Sequence, residues 1–280
     1  MGKIIAISNM KGGTGKTMTA SSLGMGLAHF GKKILCIDSD PQGSLSISFG
    51  ITNLESCTVT LPTVMTNIIH EVEFEATNGF FKHPEGVDLL PANSTLANIQ
   101  IILSGLMGRE TVLRQYIDKI ESHYDYIIID CAPSIDLLTI NALTAADSVI
   151  IPVVPKYLDA KGLELLLKSI SQIRRHLNPS LTIDGILLTM VNSRGNFTKK
   201  IIQLIESAYE ENINIFKEHI PCSIRAAESA AQGISIFNYN SSGKVAKAYS
   251  SLALSILTND LADNEEITYT AIMKGVLKVA

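Results

Sequence analysis

The sequence lacks the features that mark several classes of protein. The 280 residues include four cysteines and six histidines, scattered without the spacing of a zinc site or a disulfide framework. The cysteines are Cys36, Cys57, Cys131 and Cys222. No apolar run approaches the roughly 18 residues that span a bilayer. The first residues, Met1 to Lys3, lead directly into an apolar strand-like segment and do not resemble a signal peptide. We therefore expect a cytoplasmic protein with reduced, structural cysteines.

The sequence also has little excess charge of either sign. It carries 23 basic and 27 acidic side chains, for a formal net charge of −4 and an isoelectric point near 5.9. This balance gives no general attraction to nucleic acid, so any binding of DNA has to come from a local patch or an assembled oligomer. The 46% hydrophobic content excludes disorder as the default state and allows one large domain, or at most two.

Short apolar runs alternate with longer segments of helical periodicity. This alternation predicts an α/β fold, in which a mostly parallel twisted sheet has helices on both faces. The expected strands are Lys3–Ser8, Lys33–Ile37, Val87–Leu90, Tyr126–Asp130, Ser148–Pro152 and Ile183–Val191. The expected helices are Lys16–Phe30, Glu110–Ser122, Leu158–His176, Lys199–Tyr209 and Lys244–Leu257, with helical insertions within Thr58–Pro84.

A glycine-rich segment, Lys11–Thr17, joins the first expected strand to the first expected helix. Strand, glycine-rich turn and helix is the order of a P-loop, in which backbone N–H groups and the helix N-terminus surround phosphate oxygens. In such a loop Lys16 would neutralise the β- and γ-phosphates, and the Thr17 hydroxyl would bind Mg²⁺. The segment therefore predicts a single P-loop NTPase domain, which we assign to residues 1–260, followed by a tail at 261–280.

The loop departs from the usual P-loop pattern at two places. Asn9 and Met10 stand where the first glycine is usual, and Lys11 adds a second cation inside the loop. Two lysines on one triphosphate are more charge than a single-subunit site normally uses. We therefore consider that Lys11 reaches the nucleotide of a partner subunit, the alternative being a solvated surface lysine.

Carboxylates follow two of the expected strands. Asp130 ends the apolar run that starts at Tyr126, which is the arrangement that holds Mg²⁺ at the carboxyl edge of a P-loop sheet. Asp38 and Asp40 follow another strand and, being two residues apart on an extended segment, point the same way. One would support the Mg²⁺ shell and the other would orient the attacking water; the alternative is a turn that merely ends the strand.

These motifs resemble those of a known family. Lys11–Thr17, Asp38–Gly43 and Tyr126–Ser134 are similar to the three nucleotide motifs of the ParA (Soj-like) partition ATPases, which belong to the deviant Walker A class. The similarity continues through later blocks and covers residues 3 to about 257. It implies that Lys11 acts in trans, that Asp40 promotes hydrolysis, and that Thr17, Asp38 and Asp130 form the metal site. The nucleotide-contacting residues it implies are Lys11, Gly12, Gly13, Thr14, Gly15, Lys16, Thr17, Met18 and Pro221.

The same resemblance implies a cycle of ATP binding, Mg²⁺-dependent slow hydrolysis and assembly. In this cycle ATP joins two subunits into a homodimer, the dimer binds DNA without sequence preference, and a ParB-like centromere-binding partner stimulates hydrolysis. Arg194, Arg225 and Lys244 fall at basic positions that contact DNA in Soj-like proteins. The implied location is the cytoplasm, in association with the nucleoid.

The end of the sequence suggests the main alternative. Tyr269, Ile272, Met273, Val276 and Leu277 repeat at helical spacing beside Lys274 and Lys278. This short amphipathic pattern resembles the membrane-targeting helix of MinD-type ATPases, whereas the partition-type sequence after Asp38 favours ParA. A helix packed on its own domain or on a partner also explains the pattern, and we favour this interpretation. A second alternative is an enzyme that couples ATP to ligation or electron transfer. Electron transfer needs cluster cysteines, and Cys131 has no matching partner at the expected place. For ligation, the sequence does not locate a substrate pocket.

Overall fold

The computed structural model describes residues 2–156, 159–192 and 195–263. Seven strands form one sheet in the order β3-β4-β2-β5-β1-β6-β7. The strands are β1 Lys3–Ile7, β2 Ile34–Ser39, β3 Phe81–Lys82, β4 Val87–Leu90, β5 Tyr126–Cys131, β6 Ser148–Val153 and β7 Thr182–Leu188. All neighbouring pairs are parallel except β3 and β4. The predicted α/β class and mostly parallel sheet are confirmed.

Eleven α-helices occur in the described part of the chain. They are α1 Lys16–His29, α2 Ser44–Ser48, α3 Leu61–Ile69, α4 Leu96–Ser104, α5 Val112–Ile117, α6 Leu137–Ala145, α7 Asp159–His176, α8 Asn196–Tyr209, α9 Ile224–Ala231, α10 Ile236–Tyr239 and α11 Lys244–Asp263. None of the helices within these described segments is long and apolar enough to cross a membrane.

The helices cover both faces of the sheet, so each central strand is buried on two sides. In β5, Ile127 and Ile129 pack into one core with α3 to α8, whereas Ile128 packs into the other with α1 and α11. All six residues of β5 are buried. A strand covered on both faces needs apolar residues at successive positions, which explains why the central strands appear in the sequence as unbroken apolar runs.

Strand register brings the chemistry-bearing residues to one edge. β2 and β5 are paired so that Asp38 lies opposite Asp130, and β1 pairs with β5 so that Ile7, the last residue of β1, also lies opposite Asp130. Since parallel strands end at the same edge, the P-loop and both carboxylates share the carboxyl edge of the sheet. This is the edge at which an α/β sheet binds its ligand.

Several expected elements differ in extent from those observed, and two of these differences have a clear cause in the backbone. The last expected strand, Ile183–Val191, ends at Leu188 because Met190 adopts a left-handed backbone (φ 51°), after which Val191 forms an isolated bridge with Pro221. The expected helix Glu110–Ser122 is α-helical only over Val112–Ile117. Beyond Ile117 the amides of Lys119 and Ile120 bond three residues back, which tightens the chain into a turn.

The helical insertion expected within Thr58–Pro84 is confirmed. α3 has Thr60 as its N-cap, whose hydroxyl accepts a hydrogen bond from the Thr63 amide, and Pro62 lies in the first turn. Helix α11 runs through the expected boundary at residue 260, and its end is tied to the sheet because Asp260 accepts hydrogen bonds from Lys3 and Tyr126. The division into a domain of residues 1–260 and a tail of 261–280 remains a prediction.

Candidate functional site

The P-loop segment links β1 to α1 through a turn that requires glycine. Gly13 and Gly15 have left-handed backbones, with φ of 71° and 83°, and Gly15 is the residue that caps α1. A Cβ atom placed on Gly12 or Gly13 would meet nothing within 4 Å. The outer side of the loop is therefore open, at the N-terminus of a helix whose first turn contains no acidic residue.

Two side chains outside the glycine-rich motif hold this loop in place. Asn9 donates from Nδ2 to the Pro152 carbonyl at 2.7 Å and accepts from the Lys11 amide at 3.0 Å. Thr189 donates its hydroxyl proton to the Thr14 carbonyl at 2.7 Å. Asn9 occupies the place where the sequence departs from the P-loop pattern, so the departure has a structural use: it clamps the loop to β6.

Lys16 folds back over the loop. Its side chain is 7% exposed, and Nζ donates to the Lys11 carbonyl at 3.1 Å. Burial lowers the pKa of the Lys16 ammonium, while the nearby Asp130, Cys131 and Asp40 oppose this change. Lys11 itself is exposed at the mouth of the loop. The two lysines therefore occupy different environments, one against the chain and one at the surface.

Asp130 and Thr17 form the most suggestive pair in the site. Asp130 is 1% exposed, accepts a hydrogen bond from the Thr17 side chain, and has an Oδ1 atom buried without a hydrogen-bond partner. Burial and the neighbouring Asp38 raise the pKa of Asp130 well above its usual range, although Thr17 and Lys16 favour its ionised form. A divalent cation would satisfy the buried oxygen and reverse this shift, and Mg²⁺ prefers such oxygen ligands. The residues therefore fit Mg²⁺.

Asp38 lies beside Asp130 but is engaged differently. Its Oδ2 accepts hydrogen bonds from the Ser46 amide at 2.8 Å and the Ser46 hydroxyl at 2.7 Å, and its Oδ1 accepts from the Asp40 amide at 3.2 Å. Burial raises the pKa of Asp38 to about 6, against the effect of the Ser46 hydrogen bonds. Both oxygens thus hold the chain that follows β2. A role of Asp38 in the metal site remains a prediction.

Two roles are expected for Asp40, orienting the attacking water or forming the turn that ends the strand, and the structure is compatible with both. It is half-buried at the carboxyl edge, and its Oδ1 accepts a hydrogen bond from the Gln42 amide at 2.9 Å, which forms the Asx-type turn. Its position within the Coulomb field of Lys16 places it near the P-loop. A turn-forming carboxylate at this edge remains available to chemistry, so the two interpretations are compatible.

Two further residues that the resemblance places at the nucleotide, Pro221 and Met18, have different surroundings. Pro221 bridges to Val191, directly after the Thr189–Met190 segment that packs against Gly15. Met18 is half-buried in α1, where its sulfur accepts a hydrogen bond from Ser22 and its side chain lines a small cleft with residues of α2 and α9. Their contact with nucleotide remains a prediction.

Two of the three expected DNA-binding residues are described, and both lie on helices that follow β7 in the chain. Arg225 is exposed on α9, where Nη1 donates to Asn240 Oδ1 at 2.9 Å, and Lys244 is exposed at the start of α11. Arg194 and the amphipathic segment at 267–280 lie outside the described residues. A role in binding DNA remains a prediction for all three basic residues.

Comparison with known proteins agrees with this geometry. The sequence model of the AAA-domain family matches residues 2–183. The chain is 38% identical over 261 residues to the sporulation initiation inhibitor protein Soj of Bacillus subtilis, covering 92% of this chain and 100% of Soj. It is 34% identical to the chromosome partitioning protein ParA of Myxococcus xanthus, covering 93% of this chain and 89% of ParA.

Solved structures add the ligands of similar proteins. The cobyrinic acid a,c-diamide synthase of Mycobacterium smegmatis with ADP and magnesium is 31% identical, with a TM-score of 0.79 and coverage of 92% of this chain and 94% of the synthase. The same synthase has also been solved with an ATP analogue and magnesium. These ligands agree with ATP and Mg²⁺ as the expected cofactors. From its P-loop, its sheet and its likeness to Soj and ParA over nearly its whole length, the chain belongs to the AAA-domain family and, within it, to the Soj/ParA-like partition ATPases.

Proposed function

We propose that this protein is a Mg²⁺-dependent ATPase that dimerises on ATP, binds DNA without sequence preference, and is released when a ParB-like centromere-binding partner stimulates hydrolysis. The observation that carries the proposal is the buried, unpartnered Oδ1 of Asp130 beside Thr17, at the edge where the open P-loop begins α1. The unpartnered carboxylate oxygen suits a cation such as Mg²⁺, and the N-terminus of α1 suits an anion such as a nucleotide phosphate.

Several residues in and around the loop have a role in binding. The Lys16 ammonium, which donates to the Lys11 carbonyl in the structure, would donate to phosphate oxygens when nucleotide is bound. Thr17 and Asp130 would hold Mg²⁺, which when bound neutralises charge that develops on the phosphates during hydrolysis. Gly12 and Gly13 leave the open side of the loop clear for the phosphate chain. Pro221 and Met18 are assigned to the nucleotide by resemblance to the family.

Assembly and hydrolysis use the exposed side of the site. Lys11 stands at the surface of the loop, where a second subunit can bring its own nucleotide within reach. In a homodimer each Lys11 would then neutralise the partner's phosphates, so that dimerisation depends on ATP. Asp40 orients the attacking water at the carboxyl edge, and Asp38 keeps that segment in place through Ser46.

DNA binding is assigned to Arg225, Lys244 and Arg194. A chain with a net charge of −4 has to concentrate its cations locally to bind DNA, and a dimer doubles any such patch. Phosphate contacts of this kind carry no sequence information, which matches binding without preference. The dependence of DNA binding on ATP follows because the complete patch exists only in the dimer.

The likeness to the cobyrinic acid a,c-diamide synthase favours a second candidate, an enzyme that couples ATP to amide formation. Such an enzyme would hydrolyse ATP in response to a small acid and a nitrogen donor, and would not respond to DNA. The full-length match to Soj makes this the weaker candidate. The rate of phosphate release distinguishes the two candidates. DNA and the partner protein should accelerate it in a partition ATPase, whereas an acid substrate and a nitrogen donor should accelerate it in an amide-forming enzyme.

The test is co-sedimentation of the Asp40→Ala protein with plasmid DNA and, separately, with anionic liposomes, in the presence of ATP or ADP. This variant is expected to retain ATP because its water-orienting group is absent. Asp118→Ala is the matched control, since Asp118 is a surface carboxylate at the C-cap of α5 whose side chain is 51% exposed. Lys16→Ala provides the control without nucleotide binding.

We expect Asp40→Ala to be captured by DNA with ATP and not with ADP, and Lys16→Ala to be captured in neither state. ATP-dependent capture by liposomes that disappears on deletion of residues 267–280 would instead place the protein in the MinD-like class. Normal ATP binding by Lys16→Ala would contradict the assignment of the phosphate site.

A further inference from the structure

Helix α2 connects the segment that carries Asp38 and Asp40 to helix α9, which carries Arg225. We propose that α2 transmits the nucleotide state to α9, and that the backbone contact between Gly50 and Gly233 is the point of transfer. The inference rests on the proposed function for the identity of the ligand and of the DNA surface. The connection itself is drawn from contacts around α2 and Gly233, of which only the hydrogen bonds between Ser46 and Asp38 also enter the proposed function.

One end of α2 is hydrogen-bonded to the carboxyl edge of the sheet that carries Asp38 and Asp130, called the nucleotide edge below. The Ser46 amide and hydroxyl both donate to Asp38, and the same hydroxyl accepts from the Ala92 amide at 3.1 Å. The Gly43 amide, at the N-cap of α2, donates to the Asp40 carbonyl at 2.9 Å. A shift of the Asp38–Asp40 segment therefore has to carry α2 with it, or break several buried hydrogen bonds.

The other end of α2 meets the end of α9 through bare backbone. Gly50 and Gly233 both have left-handed backbones, with φ of 89° and 66°. A Cβ atom placed on Gly233 would lie 2.4 Å from the Gly50 Cα and 2.8 Å from the Gly50 amide nitrogen. No side chain lies between the two segments to absorb a displacement, so a movement of one backbone is passed directly to the other.

The junction between α9 and α10 is held on its far side as well. The Gly233 carbonyl is hydrogen-bonded to His83 Nε2 at 3.1 Å, and the Ser235 amide donates to Glu85 Oε1 at 2.9 Å. Both partners belong to the turn between β3 and β4. Because this turn prevents the junction from retreating, a push from α2 is converted into a rotation of α9 about Gly233. Arg225 lies eight residues away, so the lever is roughly 12 Å long.

Helix α9 is loosely enough held to rotate. Of its eight residues only Ser229 is buried. Where α9 meets α2, the side chains around a small cleft are small, namely Ser48, Ser229 and Ala230, and α1 contributes the flexible Met18 and Met25 to the same cleft. A helix with little buried surface has a low free-energy cost of local rearrangement. The nucleotide edge and the DNA surface are thus joined by a short rigid element that ends on a movable one.

The test compares hydrogen exchange of the α9 peptide with that of the P-loop peptide, with and without a non-hydrolysable ATP analogue and Mg²⁺. Gly233→Ala places a methyl group against the Gly50 backbone. Gly31→Ala is the matched control, because Gly31 has a similar left-handed φ of 80° but no atom within 4 Å of its Cβ position. Ser46→Ala weakens the other end of α2 and leaves the sequence of α9, with Arg225, unchanged.

We expect the analogue to change exchange in both peptides of the unmodified protein and of Gly31→Ala. In Gly233→Ala and Ser46→Ala the P-loop response should persist while the α9 response is lost, and ATP-dependent DNA affinity should fall by about fivefold or more, the usual lower range of coupling between sites. Protection of α9 that came merely from dimer contacts would persist in Ser46→Ala, and that result would overturn the proposal.

Two further outcomes separate the inference from the proposed function. If α9 responds to the analogue through α2 but the protein binds no DNA, the coupling stands and the DNA-binding function fails. If the unmodified protein binds DNA in an ATP-dependent way while Gly233→Ala and Ser46→Ala behave as Gly31→Ala does, the function stands and the coupling is wrong.

Discussion

The nucleotide edge and the α9–α10 surface are built by different means. At the nucleotide edge, Asp38 and Asp130 are each the next-to-last residue of a central strand whose residues are all buried, and strand register fixes their separation. On the other surface α9 buries one residue, and its orientation depends on side-chain hydrogen bonds such as those from Arg225 to Asn240 and from Tyr239 to Glu228. The first region holds groups in place for chemistry, whereas the second can be repositioned at little cost.

The largest expected difference between the two regions is in how much their side chains contribute to the free energy of unfolding, and substitution of one isoleucine in each region tests it. Ile128 in β5 is fully buried, so Ile128→Ala should lower the free energy of unfolding by about 2–5 kcal/mol. Ile224 at the start of α9 is 79% exposed, so Ile224→Ala should change it by about 0.5 kcal/mol or less. Urea unfolding followed by circular dichroism gives both values. Equal losses would mean that α9 packs against the protein far more tightly than its exposure indicates.

An intermediate effect is expected at Glu85, which holds the α9–α10 junction. Burial would raise the pKa of Glu85, but His29, the Ser235 hydrogen bonds and His83 outweigh it and hold the pKa at about 2. His29 Nε2 lies 3.7 Å from Glu85 Oε2, which is an ion-pair distance and too long for a hydrogen bond. A lowered carboxyl pKa stabilises the fold above the ordinary value near 4.5, and this contribution is lost as pH falls from 4.5 through 2.

Glu85→Gln should therefore destabilise the protein by about 1–2 kcal/mol at pH 7, after allowance for solvent, and by less at pH 3. Unfolding at the two pH values measures the difference, with Glu210→Gln as an exposed glutamate control. A loss that is the same at pH 3 and pH 7 would show that the ionised form of Glu85 makes no special contribution.

The smallest effect is expected at the proposed DNA surface. Arg225→Ala should reduce the DNA affinity of the ATP-bound protein only a few-fold and lower the slope of log affinity against log salt by about 1, because one phosphate contact is removed. Arg174→Ala, which removes an exposed arginine of α7, is the control. Fluorescence anisotropy across a salt series supplies both quantities. A slope that is unchanged in Arg225→Ala and lowered in Arg174→Ala would move the DNA surface to α7.

The same two regions differ in how far sequence patterns could predict them. The P-loop segment and the β5 run are continuous in the chain, so glycine spacing and unbroken apolar character locate Gly15, Lys16 and Asp130 directly. Even the departure at Asn9 is visible as a missing glycine, although its partner, the Pro152 carbonyl, is 143 residues away and leaves no local signal.

Contacts between distant segments were not predictable in this way. Thr189 supports the P-loop from 175 residues away, and its hydroxyl in the sequence looks like that of any threonine after a strand. The contact between Gly50 and Gly233 needs two separate turns to meet, which no single-chain periodicity encodes. The end of β7 was not predictable either. β7 ends before the left-handed backbone at Met190, and methionine is not a residue type that indicates such a conformation.

The edges of the sheet bear on how copies of this chain can associate. One edge is closed by the two-residue antiparallel β3, which carries the charged Lys82, and the other is covered where Ile215 bridges to Ile186 of β7. Short, charged or covered edges discourage the strand-to-strand growth that leads to aggregates. If the protein dimerises reversibly, as proposed above, edges of this kind disfavour irreversible strand pairing between copies and leave the reversible contacts to the other surfaces of the molecule.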